Sequence, residues 1–218
     1  MVAVDVDEDG LGLLGEQHGD AVATVRGDVA DQATNRRAVE EALHRYARLD
    51  CAVANAGVSL PKLVDDTTDA EFDRLIDVNV RAPVYLAQAA HRHLADSGGN
   101  LVIVASKTGL VAQRNSPIYV ATKGAAIQLA RALALDWAPE GIRVNAICPG
   151  IVDTPMLRSF IEGLPDPETA RREHDTAQPL GRLARPEECA AAVLFLASEA
   201  ASFITGIALP VDGGFTAE

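Results

Sequence analysis

Six short apolar runs rich in β-branched residues recur along the chain, most of them separated by a stretch of helical character, and that alternation limits the fold more than any other feature. The runs are 2–6, 21–25, 51–54, 101–105, 143–148 and 207–211, and helical patterns fall near 35–48, 69–95, 117–138 and 186–198. Such a chain builds a parallel sheet, because parallel neighbours need a crossover and the crossover helices cover both faces. The expected fold is α/β, a parallel sheet between helices, in one domain over 1–218. Residues 153–184 break the rhythm. They carry Pro155, Pro165, Pro167 and Pro179 among several charges and read as an irregular excursion, a lid over a site.

Composition removes several classes of partner. Nineteen Lys and Arg against 31 Asp and Glu give a formal net charge of −12, whereas a chain that grips a phosphate backbone needs clustered cations. Cys51, Cys148 and Cys189 form no Cys-x-x-Cys pair and sit in apolar runs, as buried thiols do in a reducing compartment. The apolar stretch 189–211 is interrupted by Glu199, and no charged start precedes an apolar signal core. The expectation is a cytoplasmic protein with neither nucleic acid nor membrane as partner. His91 and His93 stand two apart and share no helix face, and His18, His44 and His174 are isolated, so no metal site is expected.

The first run leads into Gly10-x-Gly12-x-x-Gly15, the spacing of a dinucleotide-binding turn. That turn needs a helix running on for several turns, yet only five residues separate Gly15 from the next strand at Ala21, with Gly19 among them. The expected structure is one poor short helix over about 8–17, with Leu11 and Leu14 facing inward. Each glycine weakens such a helix by about 1 kcal/mol relative to Ala and makes no phosphate cradle.

Chemistry concentrates further on. In "SPIYVATK", Ser116 suits an N-cap and Pro117 the first helical position, so Tyr119 and Lys123 lie one turn apart on one face. An ammonium beside the phenol would lower its pKa and make Tyr119 an acid/base near neutral pH; a solvated pair is the plainer alternative. Ser106 ends the run "NLVIVAS", and strand ends of open α/β sheets are where ligands bind. Its hydroxyl could hold a substrate oxygen or merely end a strand. Pro83 falls inside the helical pattern 69–95 and cannot donate to the carbonyl of Asn79, which frees that carbonyl for a water at a kink.

These residues together resemble the short-chain dehydrogenase/reductase family over nearly the whole chain. The matching features are "NAG" (Asn55, Ala56, Gly57), Asn79, Ser106, Tyr119-x-x-x-Lys123, "PGIVDT" from Pro149 to Thr154, and the "TG…VDGG" ending. The resemblance implies a doubly wound, Rossmann-like sheet and an NAD-dependent oxidoreductase, NADP being the lesser choice, acting on a small secondary alcohol or ketone. It implies that Tyr119 passes the proton, Ser106 orients the substrate oxygen, and Lys123 lowers the Tyr119 pKa and binds the nicotinamide ribose. Asn79 would hold a relay water through its main-chain carbonyl. Asp5, with Val6 after it, would take the adenosine ribose and repel a 2′-phosphate, and Asp28 and Val29 would flank adenine. Asn55, Ala56 and Gly57 would line the cofactor groove, and Pro149, Gly150, Ile151 and Thr154 would meet the nicotinamide or its phosphate. Met156, Leu157, Arg158 and Phe160, with Gln113 and Arg114, would shape the substrate pocket. A homodimer or homotetramer through 69–95 and 117–138 is the implied assembly.

Family members begin with a strand and a TGxxxGxG turn, whereas this chain opens at what would be the second strand. The expectation is an N-terminally truncated version of the fold. In the order 3-2-1-4-5-6 the first strand is central, so its absence would leave two unpaired edges inside the sheet. Two further readings follow: a non-catalytic remnant unable to hold cofactor, and a working protein longer than these residues.

Overall fold

The computed structural model describes residues 1–217, the side chain of Met156 excepted. Strand β1 (Val2–Asp5) pairs in parallel with β2 (Ala23–Arg26), Val2 opposite Ala23 and Asp5 opposite Arg26. A second parallel sheet runs in the order β3 (Cys51–Ala54), β4 (Asn100–Val104), β5 (Arg143–Pro149), β6 (Ala208–Val211). The two sheets do not join. Strands β1 and β3 each pair on one side alone, which gives the two open edges anticipated from the sequence. Helix α2 (Gln32–Tyr46) bridges them by packing on β1 and β2 and on α4 (Ala82–Ser97), which in turn lies on β3.

The core follows from strand alternation. Leu101 and Ile103 of β4, with Val144 and Ala146 of β5, face Leu94 of α4 and Ile127 and Trp137 of α5 (Pro117–Trp137). Val102 and Ile147 point to the other face, beneath Leu196 of α8 (Pro186–Ala197). Burial on both faces explains why these strands read as continuous apolar runs rather than alternating ones. Among the described residues no helix is long and apolar enough to cross a membrane.

Helix α1 (Glu8–His18) contains all three glycines of the suspected turn. A Cβ at Gly12 or Gly15 would meet nothing within 4 Å, and neither position has a positive φ. Gly12 and Gly15 are helix residues with no close approach to serve, and a Cβ at Gly10 would meet only the side chain of Asp7, at the helix's own N-cap, 2.6 Å away.

Two expectations need correction. The pattern 69–95 is not one kinked α-helix: α3 (Asp69–Ile76) joins α4 through a π-helical turn, Asp77–Arg81, in which the Ala82 N–H reaches the Asp77 carbonyl. A wider turn accommodates Pro83, which has no N–H for an α-helical bond and whose ring crowds the preceding turn. Residues 153–184 are also not irregular, since they hold α6 (Pro155–Glu162) and α7 (Pro167–Thr176). Pro155 and Pro167 open these helices instead of breaking them, behind the N-caps Thr154 and Asp166, whose side chains accept from the N–H groups of Leu157 and Thr169.

Candidate active site

All six strands are parallel, so within each sheet the carboxyl ends lie along one edge. Asp5 closes β1, Asn55 follows β3, Ser106 follows β4 by two residues and Gly150 follows β5. Ligands of open α/β sheets bind along that edge.

Ser106 is buried and caps a short 3₁₀ turn, Lys107–Gly109. Its Oγ accepts from the Thr108 N–H at 3.2 Å and the Thr108 hydroxyl at 3.1 Å. The turn is registered against α5 at Gly109, where a Cβ would fall 2.6 Å from the Lys123 carbonyl oxygen and 2.7 Å from Ile127 Cδ1. Serine and tyrosine are thus spaced by a backbone-to-helix contact.

On α5, Pro117 takes the first position behind Ser116, as expected, but the Ser116 side chain makes no capping bond. Lys123 is 5% exposed, and its Nζ donates to the Val104 carbonyl at 3.0 Å. It lies 5.8 Å from the centre of the Tyr119 ring. Burial draws the Lys123 ammonium down to about 8, opposed in part by Cys148. The expected depression of Tyr119 by Lys123 is corrected here: burial pushes the phenol above its ordinary range, and the Ser106 side chain draws it part of the way back. A desolvated phenolate costs more than the distant, desolvated ammonium returns. Burial thus keeps the Tyr119 phenol in its neutral form.

Asn79 sits in the π turn at 2% exposure. Its carboxamide accepts from the Val58 N–H at 2.9 Å and donates to the Val58 carbonyl at 2.9 Å and to Thr122 Oγ1 at 3.1 Å. The Thr122 hydroxyl donates in turn to the Tyr119 carbonyl at 2.8 Å. The Asn79 side chain therefore ties the loop after β3 to the helix of the tyrosine, and Pro83 withholds the donor that its main-chain carbonyl would have had. A Cβ at Gly57 would fall 3.3 Å from Lys123 Nζ and 3.5 Å from Asn79 Oδ1, so the 55–57 loop passes directly over this cluster.

The remaining candidates surround it. Asp5 is exposed and accepts from the Asp7 N–H at 3.0 Å, and Val6 beside it is 56% exposed. Arg26, opposite Asp5, is held by Glu8 at 2.5 Å. Burial works against ionisation of Asp28, but the Ala30 N–H and the Arg74 guanidinium at 2.7 Å outweigh it and keep the carboxyl below its usual range. Val29 gives its carbonyl to Asn35 at 2.7 Å. Past Pro149 the chain is fixed by a parallel bridge between Val152 and Ala184, and Thr154 Oγ1 caps α6. Leu157, Arg158 and Phe160 lie on α6 and Gln113 and Arg114 in the exposed loop before α5; the Met156 side chain, also expected at the pocket, lies outside the described residues.

These positions suit the two ends of a nicotinamide dinucleotide: exposed carboxylate and apolar surface at β1, hydroxyl, phenol and ammonium near β4 and β5. They do not suit its pyrophosphate at α1, whose first turn carries Glu8 and Asp9 behind Asp7 and would repel an anion. Sequence reasoning missed Thr108, which seats Ser106, and Thr122, which links Asn79 to Tyr119. Threonine three residues beyond Tyr119 on one helix face is the signal that could have exposed the second.

A family model described as enoyl-(acyl carrier protein) reductase matches residues 1–216. L-fucose dehydrogenase of Oryctolagus cuniculus is 41% identical over 215 residues, which are 98% of this chain and 75% of that protein. The 3-ketoacyl-(acyl-carrier-protein) reductase of Brucella melitensis complexed with NADH superposes with a TM-score of 0.91 at 35% identity, covering 99% of this chain and 87% of that one. ElxO with NADP bound does so at 0.91 and 27%, covering 100% and 88%.

Proposed function

Since the chain belongs to the short-chain dehydrogenase/reductase family of oxidoreductases, we propose that it interconverts a small secondary alcohol and its ketone with NAD. The single observation that carries this reading is the arrangement at the end of β4, where buried Ser106, protonated Tyr119 and Lys123 are held together through Gly109, Thr108 and Val104. A bound nicotinamide would supply the hydride chemistry at the substrate carbon.

The protein manages the oxygen. Ser106 Oγ is already filled as an acceptor by Thr108, which leaves its own O–H to donate to a substrate oxygen. Tyr119, kept neutral by burial, protonates the oxygen of a ketone as it gains charge; in the other direction the phenolate takes the hydroxyl proton. Lys123, charged below about pH 8, offers ribose hydroxyls a donor. The Asn79 carbonyl holds the water that returns the proton to solvent. Asn55 and Ala56, exposed before Gly57, line the groove towards β1. Asp5 supports NAD over NADP, because its carboxylate meets a ribose diol but repels a 2′-phosphate, and Glu8 keeps the neighbouring Arg26 occupied. Self-association as a dimer or tetramer belongs to the same reading, supported by Leu135 on α5, Leu194 on α8 and Phe203, all exposed. Relatives that cover most of this chain are dehydrogenases, which supports the enzyme reading over the remnant.

Titration calorimetry with NAD and NADP, and reduced-nicotinamide absorbance with a panel of secondary alcohols, test the proposal. Tyr119→Phe is expected to lower kcat at least about 100-fold with NAD affinity nearly unchanged. Near-normal turnover of that variant would reject the role given to Tyr119, and failure of the wild-type chain to bind either dinucleotide would reject the function.

A further inference from the structure

Gln178 is 1% exposed, and no part of the chemistry above uses it. Its Oε1 accepts from the Ile151 N–H at 2.9 Å, while Nε2 donates to the Ile151 carbonyl at 3.2 Å and the Arg182 carbonyl at 2.9 Å. One carboxamide thus reproduces, for Ile151, the paired bonds that a neighbouring strand would supply. The fit is close on every side. A Cβ at Gly150 would lie 1.9 Å from Gln178 Oε1, and one at Gly213 would lie 3.3 Å from Gln178 Cβ.

The joint matters because of what it connects. Ile151 lies between β5 and α6, where the chain leaves the sheet, and Gln178 lies just after α7, where the excursion turns back. The Ala184 N–H also donates to the Ile151 carbonyl at 2.9 Å, and the Asp153 N–H to the Ala184 carbonyl at 2.9 Å. The two stems of the excursion are therefore stitched together, and among the described residues Gln178 is the side chain that bonds both polar groups of Ile151.

We propose that Gln178 is a positioning residue that latches the excursion to the 149–154 loop, so that the loop's grip on the nicotinamide half of a dinucleotide depends on the excursion being docked. The proposal rests on the function given above. Only a neutral amide matches the pattern, because Ile151 offers one donor and one acceptor and Arg182 a second acceptor. Glutamate of the same size has no donor for the two carbonyls when ionised, and leucine leaves the Ile151 N–H and the Arg182 carbonyl without partners and the Ile151 carbonyl with Ala184 alone.

The test compares Gln178→Leu and Gln178→Glu with the wild type and with Leu196→Ala, a core variant on the far face of the sheet used to match the loss of stability. Hydrogen exchange of the Ile151 amide in the unliganded protein reads the latch itself, and the Kd for NAD and the KM-against-kcat split read its coupling to the site. Both Gln178 variants are expected to speed Ile151 exchange and to raise the NAD Kd and KM at least tenfold, in order of magnitude, with kcat within about threefold, while Leu196→Ala moves neither. Unchanged Ile151 exchange overturns the latch. Faster exchange with an unchanged Kd, or an equal rise in Kd for Leu196→Ala, overturns the coupling. A wild type that binds no dinucleotide overturns the coupling together with the function, and exchange alone then decides whether Gln178 fastens the excursion.

Discussion

Replacing Lys123 by methionine should make the protein more stable at neutral pH and progressively less so in alkali. Lys123 is buried, and its ammonium falls from an ordinary 10.5 to about 8 through loss of hydration. A folded-state value below the unfolded one means that the unfolded chain holds the proton more tightly between about 8 and 10.5. Below about pH 8 the lysine is charged in both states and the full desolvation cost opposes folding. As pH rises towards 10.5 the folded lysine loses its proton first, and the cost fades. The drop from 10.5 to about 8, at about 1.4 kcal/mol per pH unit, amounts to about 3 kcal/mol. Methionine keeps the stem and removes the charge, but strands the Val104 carbonyl, a loss of about 1 kcal/mol. Lys123→Met should therefore gain about 2 kcal/mol at pH 7, and the difference from wild type should shrink by about 3 kcal/mol by pH 10.5. Urea unfolding of both proteins at intervals of pH measures it, in a Cys148→Ala background because Cys148 and Lys123 act on each other's titration, and titration of Lys107, Cys51 and Cys189 cancels in the comparison. A stability difference that stays flat across that window would refute the argument.

Two further outcomes follow from the site. Asp5→Ala is expected to raise the kcat/KM ratio of NADP to NAD at least about tenfold by removing a close like charge, a change on the order of 1.4 kcal/mol; a wild-type preference for NADP in the same kinetics would defeat the role of Asp5. Gly109→Ala drives a methyl into the Lys123 carbonyl and Ile127, and should lose about 1–3 kcal/mol of stability together with most of kcat as Ser106 shifts; thermal unfolding and turnover equal to wild type would show that the turn is not clamped to α5.

Much of the fold was legible because β4 and β5 are buried on both faces, which concentrates apolar, β-branched residues there. The spacing of Tyr119, Lys123 and Ser106 was legible for a similar reason, since one helix turn and one strand end place them without knowledge of the rest. Prolines misled where their neighbours decided the outcome. Pro155 and Pro167 look like breakers until Thr154 and Asp166 are seen capping behind them. The protonation of Tyr119 was read with the wrong sign because spacing reveals a nearby cation but not how deeply both groups are buried. Gln178 carried no signal at all; its partners are backbone groups 27 residues earlier and four residues later.

Two adjacent strands of one sheet share a ladder of backbone bonds, and a disturbance in one is felt at once by the other. Between β1 and β3 no such ladder exists, and α2 lying on α4 is a contact of side chains. The pair β1–β2 is therefore tied to the four-stranded body by side chains alone: Val39 and Leu43 of α2 pack into the same core as Leu94 and Leu101, and Asp28 pairs with Arg74. A dinucleotide reaching from Asp5 to Tyr119, as proposed, would touch both sheets, so its affinity would depend on how firmly α2 holds them in register.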